Sequence, residues 1–268
     1  MGTPHFSVPS LRKIAAFDSD LNIKLVVTSP EKPRHSARSK PEPTPVKAVA
    51  MEYGLPVYEV EDVKSPEFAE KIKQIDPDVI VVVAFRILPP EVFSLAKKGT
   101  FNLHASLLPK YRGAAPINWS IIKGDKETGV TTFFIQQKVD TGNVILQKKT
   151  EIGETETATE LAVRLSELGG EAVLETLQMI QKGDIQLQAQ DNALATKAPK
   201  LFKDNTRIDW SQSATQVSNF VRGLAERPTA WTTMNGKSVK IFQAAPCEDT
   251  PVPSLSPGVW AIQGGKLY

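Results

Sequence analysis

Between Ser7 and Leu103, strand-like and helix-like stretches take turns, and the strand-like ones are continuous apolar runs rather than alternating ones. A continuous run suits a strand covered on both faces, which is the situation in a parallel sheet flanked by helices. Residues 7–17 carry Pro9 early and Leu11, Ile14 and Ala15 at helical spacing, the pattern of a short first helix. Residues 22–28, 56–60, 79–84 and 100–103 read as strands, and residues 45–53, 65–74 and 89–96 as helices between them. The expected first domain is a doubly wound, mostly parallel α/β sheet. Such sheets bind ligands beyond the carboxyl ends of their strands, which singles out the polar residues just after Leu103 and near Asp140.

Farther along, Thr157 and Glu160 form a capping-box pattern ahead of Leu161, Leu165, Leu168, Leu174 and Leu177, and Gly183 is a natural stop. One long helix is expected there, its leucines in the core. The expected division is residues 1–184 as a first domain, 185–205 as a linker carrying Lys197, Lys200 and Lys203, and 206–268 as a smaller unit. In that unit, residues 214–224 read as a helix and residues 229–233, 239–244 and 259–262 as short strands, a pattern for a small β-barrel or sandwich. Gly264 and Gly265 suggest a hairpin turn leading into another strand, so the barrel looks incomplete.

Composition narrows the class. With 268 residues, 41% hydrophobic and 23% charged, the chain can bury a sizeable core and has no bias toward disorder. The longest apolar run, residues 79–85, falls well short of the ~20 residues of a membrane helix. A single cysteine, Cys247, permits no internal disulfide, so a reducing, cytoplasmic setting is expected, with no membrane partner. The three histidines, His5, His35 and His104, show no ligand spacing, and no metal is expected. A net charge of +2 leaves the partner open. Lys32, Arg34, His35, Arg38 and Lys40 crowd one proline-containing stretch, which on charge alone fits a solvated loop as well as an anion-binding one.

Three polar elements could carry chemistry. Asn102 and His104 end a strand and, by its period of two, point to the same side. The following Ala105 to Pro116 stretch has the composition of a shaped loop, and Asp140-Thr141-Gly142 forms a turn after a β-like run. An amide and an imidazole can stabilise a developing oxyanion, and a carboxylate can hold the imidazole and favour its charged form. Each element alone is equally compatible with packing or an ordinary turn. Ser106 and Cys247 have no adjacent base of the kind a covalent nucleophile needs.

Taken together, Asn102-Leu103-His104-Ala105-Ser106-Leu107-Leu108-Pro109-Lys110-Tyr111-Arg112-Gly113-Ala114-Ala115-Pro116, followed by Asp140-Thr141-Gly142, resembles the signature of the folate-dependent formyltransferases. The resemblance implies Asn102, His104 and Asp140 as the catalytic trio and Ser106, Leu107, Leu108 and Pro109 as part of the folate site. It implies 10-formyltetrahydrofolate as co-substrate, without metal or covalent enzyme intermediate. It extends to Gly2-Thr3-Pro4-His5-Phe6-Ser7-Val8-Pro9, Ala198-Pro199-Lys200-Leu201, Arg207-Ile208-Asp209-Trp210 and Arg222-Gly223-Leu224, nearly the whole chain. That extent implies the branch whose amine is that of methionine charged on initiator tRNA, working as a monomer. Arg34, Arg38, Lys40 and Lys200 are then the expected tRNA contacts, and the second domain is expected to be OB-like. Relatives acting on a nucleotide sugar or another amine, and an inactive RNA- or folate-binding fragment, are the alternatives. The resemblance also implies a strand ahead of Gly2, whose last place Met1 takes, and a barrel continuing past Tyr268.

Overall fold

The structure, a computed structural model, describes residues 1–17, 21–31, 41–247 and 256–264 and the backbone of 266–267. Its first half follows the expected alternation: α1 (Val8–Ala16), β1 (Val26–Thr28), α2 (Pro45–Glu52), β2 (Val57–Glu59), α3 (Pro66–Ile75), β3 (Ile80–Val83), α4 (Pro90–Phe93) and β4 (Thr100–His104). Each of these four helices has a proline in its first turn, where a missing N–H removes no helical hydrogen bond. Strands β1 and β2 pair in parallel, as do β3 and β4.

The second half of the sheet changes direction. After β5 (Arg112–Gly113) and α5 (Pro116–Ile122), the strands β6 (Glu127–Phe134) and β7 (Val144–Glu151) complete a four-stranded sheet in the order β3-β4-β6-β7. Both new ladders are antiparallel, so the Rossmann-like α/β domain carries a mixed sheet. For β6 and β7 the reason is connection length, since they are joined by a loop too short for the crossover helix that a parallel pair requires.

Helix α6 (Ala158–Lys182) covers one face, starting in the expected capping box of Thr157 and Glu160 and ending at Gly183 in the left-handed region (φ 72). Its Leu161, Leu165 and Val173 are fully buried against Phe101, Leu103 and Val130. Gly169 allows the helix to lie close, since a Cβ there would stand 2.6 Å from Leu103 Cδ2. With Phe101 and Leu103 committed to α6, the period of two leaves Asn102 and His104 on the opposite face of β4.

Met1 and Gly2 lie between β1 and β3. Gly2 N donates to Val27 O at 3.0 Å, Val83 N donates to Met1 O at 2.9 Å, and the terminal ammonium donates to Val81 O at 2.6 Å. Beside them is a cavity of about 430 Å³ bounded by Leu11, Ile14, Val26, Val81 and Ile180, among others.

The second unit departs from the expected barrel. After β8 (Lys197–Ala198), which lies in the expected linker and pairs in parallel with β5, it comprises α7 (Ala214–Leu224), the hairpin β9 (Ala230–Met234) with β10 (Lys237–Ile241), and the short pair β11 (Ile262–Gln263) with β12 (Lys266–Leu267). The turn at Gly264 falls where the glycine pair suggested. Among the described residues these strands close no barrel: β9-β10 and β11-β12 are separate two-stranded sheets. The hairpin buries its apolar side on α7 instead, with Ile208, Val221, Leu224 and Ala230 forming a small core. Helix α7 in turn lies on α5, with Gly223 against Ile122 and Asn118 Nδ2 donating to Gly223 O at 2.8 Å.

Candidate active site

Strand β4 ends in His104, which is 6% exposed. Its Nε2 lies 2.8 Å from the carbonyl oxygen of Tyr111. A carbonyl only accepts, so Nε2 carries the proton and Nδ1 is the nitrogen left for chemistry. Tyr111 can present that carbonyl because its backbone sits in the left-handed region (φ 61). Its ring is anchored elsewhere, the hydroxyl donating to Asp125 Oδ2 at 2.8 Å, and burial followed by this hydrogen bond raises the phenol's pKa above its ordinary value. The sequence pointed to a carboxylate as the group orienting the imidazole; in the structure that task falls to a backbone carbonyl. No residue type could have signalled it.

Asp140 stands on the other side of the ring. Its Oδ2 is 3.9 Å from His104 Nδ1, close enough for strong charge interaction but beyond a hydrogen bond. The same oxygen accepts from Gly113 N at 2.8 Å, which ties the turn after β6 to β5. Asp140 adopts φ 56, a conformation Asp tolerates better than most residues. Asn102, two residues before His104 and opposite Phe133, makes no side-chain hydrogen bond among the described residues.

All three line one cavity of about 640 Å³, within the range of small-ligand sites. Its apolar wall is formed by Val82, Leu88, Phe133 and Ile135, and its rim by Arg86, Gln136 and Gln137. Arg86 is fixed to the end of β2, donating from Nη1 to Glu61 O at 2.5 Å and from Nη2 to Val60 O. The segments 84–88 and 135–139 were not singled out from sequence. Segment 84–88 had a signal in its position, at the carboxyl end of the parallel strand β3, whereas segment 135–139 follows an antiparallel strand and leaves the sheet beside Thr100, where that rule places nothing.

Ser106, Leu107, Leu108 and Pro109 do not line this cavity. Ser106 Oγ donates to Lys110 O at 2.6 Å, and Leu108 N donates to Thr131 Oγ1 at 3.1 Å. Gln147 Nε2 adds a hydrogen bond to Leu108 O at 2.8 Å, so the segment is laced to β6 and β7 and shapes the loop from behind. Lys200 is exposed, its ammonium 5.3 Å from the centre of the Phe202 ring. Arg34, Arg38 and Lys40 lie outside the described residues.

A buried imidazole, a carboxylate beside it and an unpaired amide face one cavity of the Rossmann-like sheet, a set of groups able to support acid-base and oxyanion chemistry. Residues 1–177 match the formyl transferase family and residues 200–268 the formyl transferase C-terminal domain. The methionyl-tRNA formyltransferase of Chlorobium phaeovibrioides is 58% identical over the whole chain, which covers 84% of that protein, and that of Geobacter metallireducens is 43% identical over 91% of the chain and 78% of its own length. The chain belongs to the formyl transferase family, in the group that these methionyl-tRNA formyltransferases form. In fold it is similar to an N-formyltransferase from Helicobacter canadensis, solved with folinic acid and dTDP-3-aminofucose, with a TM-score of 0.71, 22% identity and coverage of 99% and 92% of the two chains. It is also similar to HypX from Aquifex aeolicus, solved with tetrahydrofolic acid, with a TM-score of 0.61 and 25% identity over 78% of this chain and 36% of that one.

Proposed function

We propose that this enzyme transfers the formyl group of 10-formyltetrahydrofolate to the amino group of methionine carried by initiator tRNA. The observation that carries the mechanism is the convergence of Asn102, His104 and Asp140 on one cavity. The folate fits the apolar wall of Val82, Leu88, Phe133 and Ile135, flanked by the backbone polar groups of segments 84–88 and 135–139, a setting for a flat ring system with polar edges.

The chemistry follows from the geometry. The methionyl nitrogen attacks the formyl carbon, a C–N bond forms, and the formyl oxygen becomes anionic. The Asn102 amide, otherwise unpaired, donates to that oxygen. The attacking nitrogen gives up its proton to His104 Nδ1, and the resulting imidazolium is stabilised by Asp140 at 3.9 Å. As the tetrahedral adduct collapses, the bond to folate N10 breaks and the proton passes to that nitrogen. Atoms and charge balance without a metal or a covalent intermediate.

Lys200, exposed beside Phe202, and Arg34, Arg38 and Lys40 supply positive charge for the tRNA backbone. The test is transfer of radiolabelled formyl from 10-formyltetrahydrofolate to charged initiator tRNA, compared with a deoxythymidine-diphospho-aminosugar as acceptor. Transfer to the aminosugar alone would place the chain with the nucleotide-sugar enzymes. Binding of tRNA or folate without transfer to either would make it an inactive binding protein.

A further inference from the structure

Gln190 lies in the stretch between α6 and β8, outside the motifs that carry the resemblance, yet its side chain is the most fully used polar group around the site. Its Oε1 accepts from Arg112 Nη2 at 2.7 Å and from Arg112 Nε at 3.1 Å. Its Nε2 donates to Gly142 O at 2.8 Å and to Asp140 O at 3.1 Å. The orientation of the amide is unambiguous, because a guanidinium only donates and carbonyls only accept. Both lone pairs and both protons of the carboxamide are therefore committed, and no other neutral side chain of this length offers two of each.

These contacts join the two segments whose separation sets the geometry of the trio. One is the turn bearing Asp140. The other is the loop in which Tyr111, directly before Arg112, holds His104 Nε2 through its carbonyl. The chain around Gln190 is itself fixed to both: Gln188 exchanges backbone hydrogen bonds with Val144 at the start of β7, and Thr196 O accepts from Arg112 N at 2.9 Å. Asn192 Oδ1 accepts from the remaining Arg112 nitrogen, Nη1, at 2.9 Å.

We propose that Gln190 is a positioning residue of the transfer site, its carboxamide bridging the Asp140–Gly142 turn to Arg112 so that the Asp140 carboxylate is held beside His104. The assignment rests on the formyl-transfer reading for its kinetic consequence, but its geometric content does not depend on the identity of the substrate. Gln190 touches no reacting atom and does not line the cavity, so its loss acts on the turnover step and not on the capture of folate.

The informative variant is Gln190→Glu, which has nearly the same shape and keeps an acceptor for Arg112 but loses both donors and sets a carboxylate against two carbonyl oxygens. Gln190→Met serves as an uncharged second variant of similar length. Expected for both is a fall in kcat of tenfold or more with the KM for 10-formyltetrahydrofolate within twofold of wild type. In side-chain NMR spectra of the histidines, only three in number, the His104 signals shift while those of His5 and His35 stay in place. Asn192→Ala, which removes the neighbouring Arg112 contact and leaves Gln190 intact, is expected to keep kcat within twofold. Wild-type kcat with an unmoved His104 signal in Gln190→Glu overturns the proposal. So does an equal loss of kcat in Asn192→Ala, which would assign the effect to Arg112 alone. A wild-type protein that transfers no formyl group would sink the functional reading while leaving the His104 spectra to decide the positioning role.

Discussion

Replacing His104 by alanine is expected to lower kcat by about two to three orders of magnitude, and Asn102→Ala by a similar factor, with folate binding nearly intact. The magnitude follows from what each group does only as the reaction proceeds. Asn102 meets a carbonyl oxygen in the ground state and an anion in the transition state, so most of its contribution, ~3 kcal/mol, appears in turnover. His104 takes the proton through Nδ1, the ring nitrogen that its hydrogen bond to Tyr111 O leaves free to accept it. Single-turnover transfer to charged initiator tRNA separates this from slow product release, and a thermal melt shows whether the fold survives. Loss of His104 removes the hydrogen bond to Tyr111 O, so a modest drop in melting temperature accompanies the kinetic effect. Two variants as active as wild type would end the proposed mechanism.

The sequence carried some of this site and concealed the rest for identifiable reasons. Asn102 and His104 were legible because a strand has a period of two and because Phe101 and Leu103 on the other face are plainly apolar. The alternation of helices and strands to His104 was equally legible, each helix being marked by a proline and each strand by an apolar run. The antiparallel turn of the sheet after β4 was not, since β6 is a buried, continuous run in either direction and the connection before it, which holds α5, is long enough for either. The Tyr111 carbonyl and the amide of Gly113 are backbone groups, and backbone groups have no sequence signature beyond the conformations their neighbours permit. The barrel was expected to be incomplete, and among the described residues its strands close none: residues 237–241 alternate as a strand and share with β9 an apolar face that packs on α7. Gln190 looked like one polar residue in a polar stretch. What distinguishes it is the number of partners that tertiary structure brings to it, which no local pattern records.

Gly142→Ala is expected to disable the enzyme and destabilise it together. A Cβ at this position would lie 1.6 Å from the carbonyl oxygen of Phe134 and 2.9 Å from its carbonyl carbon. Those are backbone atoms of β6, held by the ladder to β4 and by the hydrogen bond from Phe134 N to Asn143 O at 3.0 Å, so they cannot swing aside as a side-chain tip would. The turn must move instead. Overpacking of this kind costs about 1 to 3 kcal/mol or more, and here the displaced backbone includes Gly142 O and Asp140 O, the two acceptors of Gln190. Stability and catalysis therefore fall by one movement, with kcat reduced at least tenfold even under conditions where the variant is fully folded. Gly183→Ala is the matched control: nothing lies within 4 Å of the added Cβ, and the left-handed backbone there (φ 72) imposes only the conformational cost of ~1 kcal/mol. Urea unfolding of both variants, read beside kcat, distinguishes the cases. A Gly142→Ala enzyme with the activity and midpoint of wild type would mean that the turn bearing Asp140 can rest somewhere other than against Phe134 and still position its carboxylate.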